Sequence, residues 1–345
     1  MREENYIYAS AKIKALEPKL LNKNNIERMI NARDLEKAFK VLEDTDYSDN
    51  LLDLKPEDYR EALVNEMQQL HDFLQKIVPD QDLFRLIMLS KDFINLKLLF
   101  KARLFNVEVD SIVKNNAAYH HQHPKDMVFE NHINDPEAIK LYLDGDKSQT
   151  LDEDIKKVIQ DCLKFLSSRS RPDEVDALLT QHYYKLALKL AQKIQNQFIL
   201  DYFKMNIDVA NLIILIRSTR LELNKERLKT KLISGGRVDI SKWLRFYPDD
   251  FSRIKAFVKA NFDLGVAEAF ERFCENRKIF QMERVLENYK IDYIQKVKFK
   301  AYGPDVVFAY YLNKINANYN IGIILTGKLN HVPGEEIRKT IRGEY

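Results

Sequence analysis

Four of the chain's seven histidines crowd into one stretch, Tyr119-His120-His121-Gln122-His123-Pro124 with His132 just beyond. Imidazoles at that density bind transition metals, so a metal-dependent enzyme built on His120–His132 is one reading. No cysteine lies nearby, and HHQH matches no established ligand spacing. Pro124 and the flanking Asn115-Asn116 read instead as a solvated connector, and we assign no metal ligand there. Lys328 follows Thr326-Gly327, yet the upstream glycine of a phosphate loop is missing and no Ser or Thr follows the lysine. That segment reads as a helix end capped by Gly327. No GxSxG and no HExxH occurs in the chain. Carboxylate pairs such as Asp249-Asp250 stand at expected helix starts, where capping accounts for them. The sequence therefore offers no catalytic residue and no cofactor site.

Charge excludes little more. The 55 basic and 52 acidic side chains leave a formal net charge of +3, too balanced to imply nucleic acid by itself. The densest basic run, RSTRLELNKERLKTK (Arg217–Lys231), lacks interleaved aromatics and a glycine-rich loop, so it reads as the solvated face of a helix. The longest apolar runs, such as LIILI at Leu212–Ile216, fall far short of the ~20 residues a membrane span needs. The first residues, MREENYIYASAKIKALE, contain no apolar core of a signal peptide. Cys162 and Cys274 are too few for a disulfide framework or a zinc ribbon. These features predict a cytoplasmic protein that meets a membrane only through another protein.

The elements that carry these residues read as helices throughout. Only 9 glycines occur, none before Gly145, so the tight turns of a β-rich fold are missing from the first half. Pro56, Pro136, Pro172 and Pro248 each precede acids and a run with helical spacing, as expected of first-turn prolines. GRVDISKWLRF (Gly236–Phe246) is the nearest candidate strand, and reads as a loop and helix start.

One pattern recurs. KDFINLKLLFKAR (Lys91–Arg103), IDVANLIILIRST (Ile207–Thr219) and NANYNIGIILTGK (Asn316–Lys328) align Asn95, Asn211 and Asn320, with spacings of 116 and 109 residues. An aromatic-rich helical stretch lies upstream of each. Asp92 and Asp208 stand three residues before their Asn and share its helix face; the third copy has Ala317 there. A second pattern links Ile26–Asp49 with Leu228–Asp250 and, more weakly, Phe129–Asp146. Three divergent copies predict an all-α, pseudo-threefold body of repeat domains 1–115, 116–226 and 227–345. In it the Asp and Asn side chains cross-link neighbouring helices, a binding role for them being the alternative.

The order of these motifs resembles the C subunit of the archaeal and bacterial V/A-type ATPases (ATP synthases), the counterpart of the d subunit of eukaryotic V-ATPases. The resemblance rests on the tyrosine-rich opening, on Thr45-Asp46-Tyr47, and on Asp92-Phe93-Ile94-Asn95-Leu96-Lys97. It continues through Ile207-Asp208-Val209-Ala210-Asn211 and Tyr302-Gly303-Pro304 to the stretches Asn320–Lys328 and Glu336–Arg342. The family's charged approach to its last long helix is altered: Asn318 or nothing replaces the acid, and Gly322 stands at the arginine position. The resemblance implies a funnel-shaped body of three helical domains. It also implies a non-catalytic place in the rotor, between the central shaft subunits and the membrane proteolipid ring, with no cofactor, no nucleic acid and no direct membrane span. A free-standing helical scaffold with soluble partners is the other reading.

Overall fold

The computed structural model describes residues 3–108, 133–167, 172–247 and 251–343. The His120–His132 cluster and the domain boundary expected at 115/116 lie outside them, as does Pro248. Every regular element among the described residues is helical. In chain order the α-helices are α1 (Ile7–Leu16), α2 (Lys23–Asn31), α3 (Leu35–Lys40), α4 (Tyr59–Ile77), α5 (Gln81–Phe105), α6 (Pro136–Leu143), α7 (Glu153–Leu166) and α8 (Pro172–Ile194). There follow α9 (Gln197–Arg220), α10 (Lys225–Lys231), α11 (Ile240–Arg245), α12 (Phe251–Asn261), α13 (Leu264–Asn276), α14 (Ile279–Gln295), α15 (Pro304–Leu329) and α16 (Gly334–Arg338).

The helix starts follow from side chains that satisfy the free amides of a first turn. Asn22 and Asn25 form a reciprocal capping box at α2. Asp135 caps α6 ahead of Pro136, Asn196 caps α9, and Asp239 caps α11, which makes Gly236–Phe246 the loop and helix start that its sequence predicts. Pro172 opens α8, and Pro56 opens a short 3-10 turn that leads into α4.

Two compact units divide the chain. One combines the described residues of 1–91 with those of 294–345; the other holds 92–107 and the described residues of 132–293. In the first, the Ile26–Tyr47 stretch packs through Ile26, Met29, Ile30, Phe39 and Leu42 against Ala317, Ile321, Ile324 and Leu325 of α15. Ile337 and Ile341 close that core from the C-terminal stretch. In the second, Leu228, Leu232, Val238 and Trp243 pack in the same way against Val209, Leu212, Leu215 and Ile216 of α9, with α12–α14 adding Ile254, Phe270, Phe273 and Met282. The two stretches related by the second sequence pattern therefore cover two helices related by the first.

Candidate functional site

The long helices α5, α9 and α15 carry Asn95, Asn211 and Asn320, all fully buried. Their C-terminal ends are built alike. Asn106, Glu222 and His331 take left-handed backbone conformations at matching distances past the three asparagines. Next, the amides of Val107, Leu223 and Val332 reach back to the carbonyls of Ala102, Ser218 and Gly327, at 3.0, 3.1 and 2.8 Å. This paired closure satisfies carbonyls that a helix end leaves open. It also corrects one expectation. Gly327 lies inside α15, one turn before the cap, and His331 supplies the left-handed residue. A Cβ at Gly327 would stand 2.6 Å from Cδ1 of Ile337, so close packing of the C-terminal stretch requires glycine there.

After each cap the chain returns, and the buried asparagine clasps it. The Asn211 Nδ2 donates to the carbonyl of Ile233 at 2.8 Å, while its Oδ1 accepts the Ile233 amide at 2.8 Å. Asn320 repeats the clasp 22 residues on: its Nδ2 donates to the Arg342 carbonyl at 2.8 Å and its Oδ1 accepts the Arg342 amide at 2.9 Å. A primary amide offers a donor and an acceptor side by side, matched to one residue's N–H and C=O. Neither amide atom of Asn95 has a partner among the described residues.

The acids hold the next turn of returning chain. Asp208 accepts the amides of Arg237 and Val238 at 3.1 and 3.2 Å. Asp92 accepts those of Ile133 and Asn134 at 3.0 and 3.3 Å, plus the Asn134 side chain at 2.8 Å. Asn134 in turn accepts the Asp152 amide at 2.8 Å, tying the grip to the start of α7. Burial pushes both carboxyls up to about 6, against the pull of the hydrogen bonds they accept. Gly236 has to be glycine beside this grip, since a Cβ would sit 2.3 Å from Oδ1 of Asp208.

A further polar cluster, not anticipated from sequence, lies in the first unit. Lys314 of α15 is 1% exposed at its side chain and pairs with Asp46 at 2.7 Å and with Glu66 of α4. Its ammonium sits 4.4 Å from the centre of the Tyr47 ring. Asn50 donates to the other Glu66 oxygen at 2.8 Å, and Tyr47 donates to Asn318 at 3.4 Å. Burial raises Glu66, and the Lys314 ammonium opposes that rise. A lysine amid the apolar residues of α15, and the acid inside Thr45-Asp46-Tyr47, were the signals in the sequence. Nothing in either stretch points to the other.

These groups hold the returning chain and the helices together. Among the described residues no set of three His, Cys, Asp or Glu side chains is arranged for a metal ion. Cys162 is buried with its thiol pushed up to about 12, far from a usable thiolate. Among the described residues no helix is long and apolar enough to cross a membrane.

Comparison with known proteins finds relatives along nearly the whole chain. The family model described as ATP synthase (C/AC39) subunit matches residues 9–340. The V-type sodium ATPase C subunit of Enterococcus hirae is 18% identical over 335 residues, spanning 96% of this chain and 97% of that protein. The A-type ATP synthase C subunit of Methanocaldococcus jannaschii is 21% identical, over 97% of this chain and 86% of its own length. That of Desulfurococcus sp. is 28% identical over 69% of this chain and 64% of its own length.

Proposed function

Since the chain belongs to the ATP synthase (C/AC39) subunit family, we propose that it is a non-catalytic adaptor in the central stalk of a V/A-type rotary ATPase. In this role it joins the central shaft subunits to the membrane proteolipid ring, and torque passes through it during ATP-driven proton or sodium transport. It would sit in the cytoplasm, peripheral to the membrane through the membrane sector. The observation that carries the reading is the family match over almost the entire chain. The polar clasps support it, because a part that transmits torque must keep its helices in register. The reading also treats α5, α9 and α15 as the asparagine-bearing helices of three related repeats, 1–115, 116–226 and 227–345, set about a pseudo-threefold axis.

The test is affinity purification of the tagged chain from its own cells after mild detergent solubilisation. A proteolipid ring, a coiled-coil shaft subunit and ATPase activity are expected in the eluate. Recovery with soluble partners only would overturn the adaptor role and favour a free-standing scaffold.

A further inference from the structure

Phe299 is 93% exposed, the most open large apolar side chain among the described residues. It stands in the turn between α14 and α15, within Lys296-Val297-Lys298-Phe299-Lys300-Ala301-Tyr302. Buried Val297 anchors the turn from below. The first helix runs alongside: the Lys14 ammonium donates to the Lys298 carbonyl at 3.0 Å, the Gly303 amide donates to Ser10 at 3.2 Å, and Lys300 pairs with Glu3 at 2.9 Å. Ile7 lies between Glu3 and Ser10 on that same face of the helix. It is 51% exposed, Tyr8 beside it is 62% exposed, and Tyr302 is 38% exposed.

Next to the rings themselves the charge is positive, although Glu3, Glu4, Glu17 and Asp305 border the patch. Residues 6–16 and 294–304 contain five lysines and no acid. Glu3 and Asp305 at the edges engage Lys300, and Glu17 engages Lys14. Lys12 and Lys298 instead hold their ammonium groups 5.7 and 5.9 Å from the ring centres of Tyr8 and Phe299. Open aromatic rings with lysines at alternate positions suit a boundary between acyl chains and phosphates. There a ring enters the apolar side, and the ammonium groups remain with the headgroups.

We infer that the face formed by α1 and the 296–302 turn docks on an anionic lipid headgroup layer. An acidic protein surface would satisfy the lysines but would leave Phe299 unburied unless it also supplied an apolar pocket. The lipid interface supplies both media in one surface. The inference rests on the adaptor reading only in bringing this face near a membrane. The contact itself is a property of the isolated chain.

The experiment is flotation of the purified full-length chain with vesicles. One set is phosphatidylcholine alone, and the other carries about 30% phosphatidylglycerol to supply negative charge. Binding is expected on the anionic vesicles only, and it should weaken as salt rises. Phe299→Ala should weaken it about tenfold through lost apolar burial, and Lys298→Glu about fivefold or more. At 93% exposure Phe299 contributes nothing to the core, so Phe299→Ala leaves folding intact. No binding, equal binding to neutral vesicles, or indifference to both substitutions overturns the inference. So does a chain that co-purifies with the membrane sector yet ignores vesicles, a result that leaves the adaptor role standing. Vesicle binding by a chain that recovers no ring or shaft supports the inference and overturns the adaptor role.

Discussion

Replacing Asn211 by alanine removes both arms of the clasp on Ile233 at once. Ile233 is 1% exposed, so water cannot reach the amide and carbonyl that are left. Each abandoned buried group costs about 1–3 kcal/mol, which places Asn211→Ala at roughly 3–4 kcal/mol after partial relaxation. The equivalent Asn320→Ala frees the backbone of Arg342, which is only half-buried. Water can take over part of that bonding, and the loss falls to about 1–2 kcal/mol. The sole tryptophan gives the assay its specificity. Trp243 is buried in the second unit, edge-on to Phe257 at 4.8 Å, on the helix that follows the clasped loop. Its fluorescence in a urea titration reports that unit. The Asn211→Ala midpoint should shift down with little change in slope, and helix content followed by circular dichroism should track the milder Asn320→Ala loss. An Asn211→Ala cost below about 1 kcal/mol, or one no larger than that of Asn320→Ala, refutes the claim that these amides hold the returning chain.

Lys314→Met leaves Asp46 and Glu66 buried without their cation and should cost about 3–5 kcal/mol in denaturant titration, part of it recovered by adding Glu66→Gln. Asp92 and Asp208 hold their protons up to about pH 6, above the unfolded value near 4, so the protonated forms favour the fold. Each contribution is complete below pH ~4 and disappears as pH rises through about 6, roughly 3 kcal/mol per group at most. A melting-temperature difference between wild type and Asp208→Asn that stays flat from pH 4 to 7 would contradict this. Gly327→Ala drives a methyl to 2.6 Å from Ile337 and should cost about 1–3 kcal/mol in thermal melts, relieved by shortening Ile337 to valine.

The helical character was legible because it is written locally. Prolines with acids behind them, Asx caps and apolar spacing each act within a turn or two, and α6, α8 and α11 begin where those signals stand. The asparagine repeat was legible as a pattern, since Asn95, Asn211 and Asn320 align in sequence. Its bonding was not, because the partners Ile233 and Arg342 contribute backbone atoms and leave no side-chain signature. The Gly327 cap was misplaced for a related reason. A glycine near a helix end suggests a left-handed cap, and only the position of Ile337 shows that space, not backbone angle, fixes it. The Lys314 cluster joins residues 248 and 268 positions apart, beyond the reach of periodicity.

The chemistry of the clasps bears on how such a body would carry load. Apolar contacts along α9 and α15 are strong in sum but nearly indifferent to small sliding, since one methyl replaces another at similar cost. A buried amide paired to the N–H and C=O of one residue has a single acceptable register. A displacement of one residue breaks both bonds, and at buried Ile233 it strands four polar atoms out of water. Asn211 and Asn320 therefore add little to the depth of the folded well compared with the cores around them, and much to its steepness along the helix axis. The left-handed caps at Glu222 and His331 act with them by fixing where the chain turns back. Under the proposed function, weakening a clasp should lower the coupling between ATP hydrolysis and ion transport at temperatures where the chain is still fully folded. An Asn211→Ala complex that keeps full coupling would separate the clasp from torque and leave it a purely thermodynamic device.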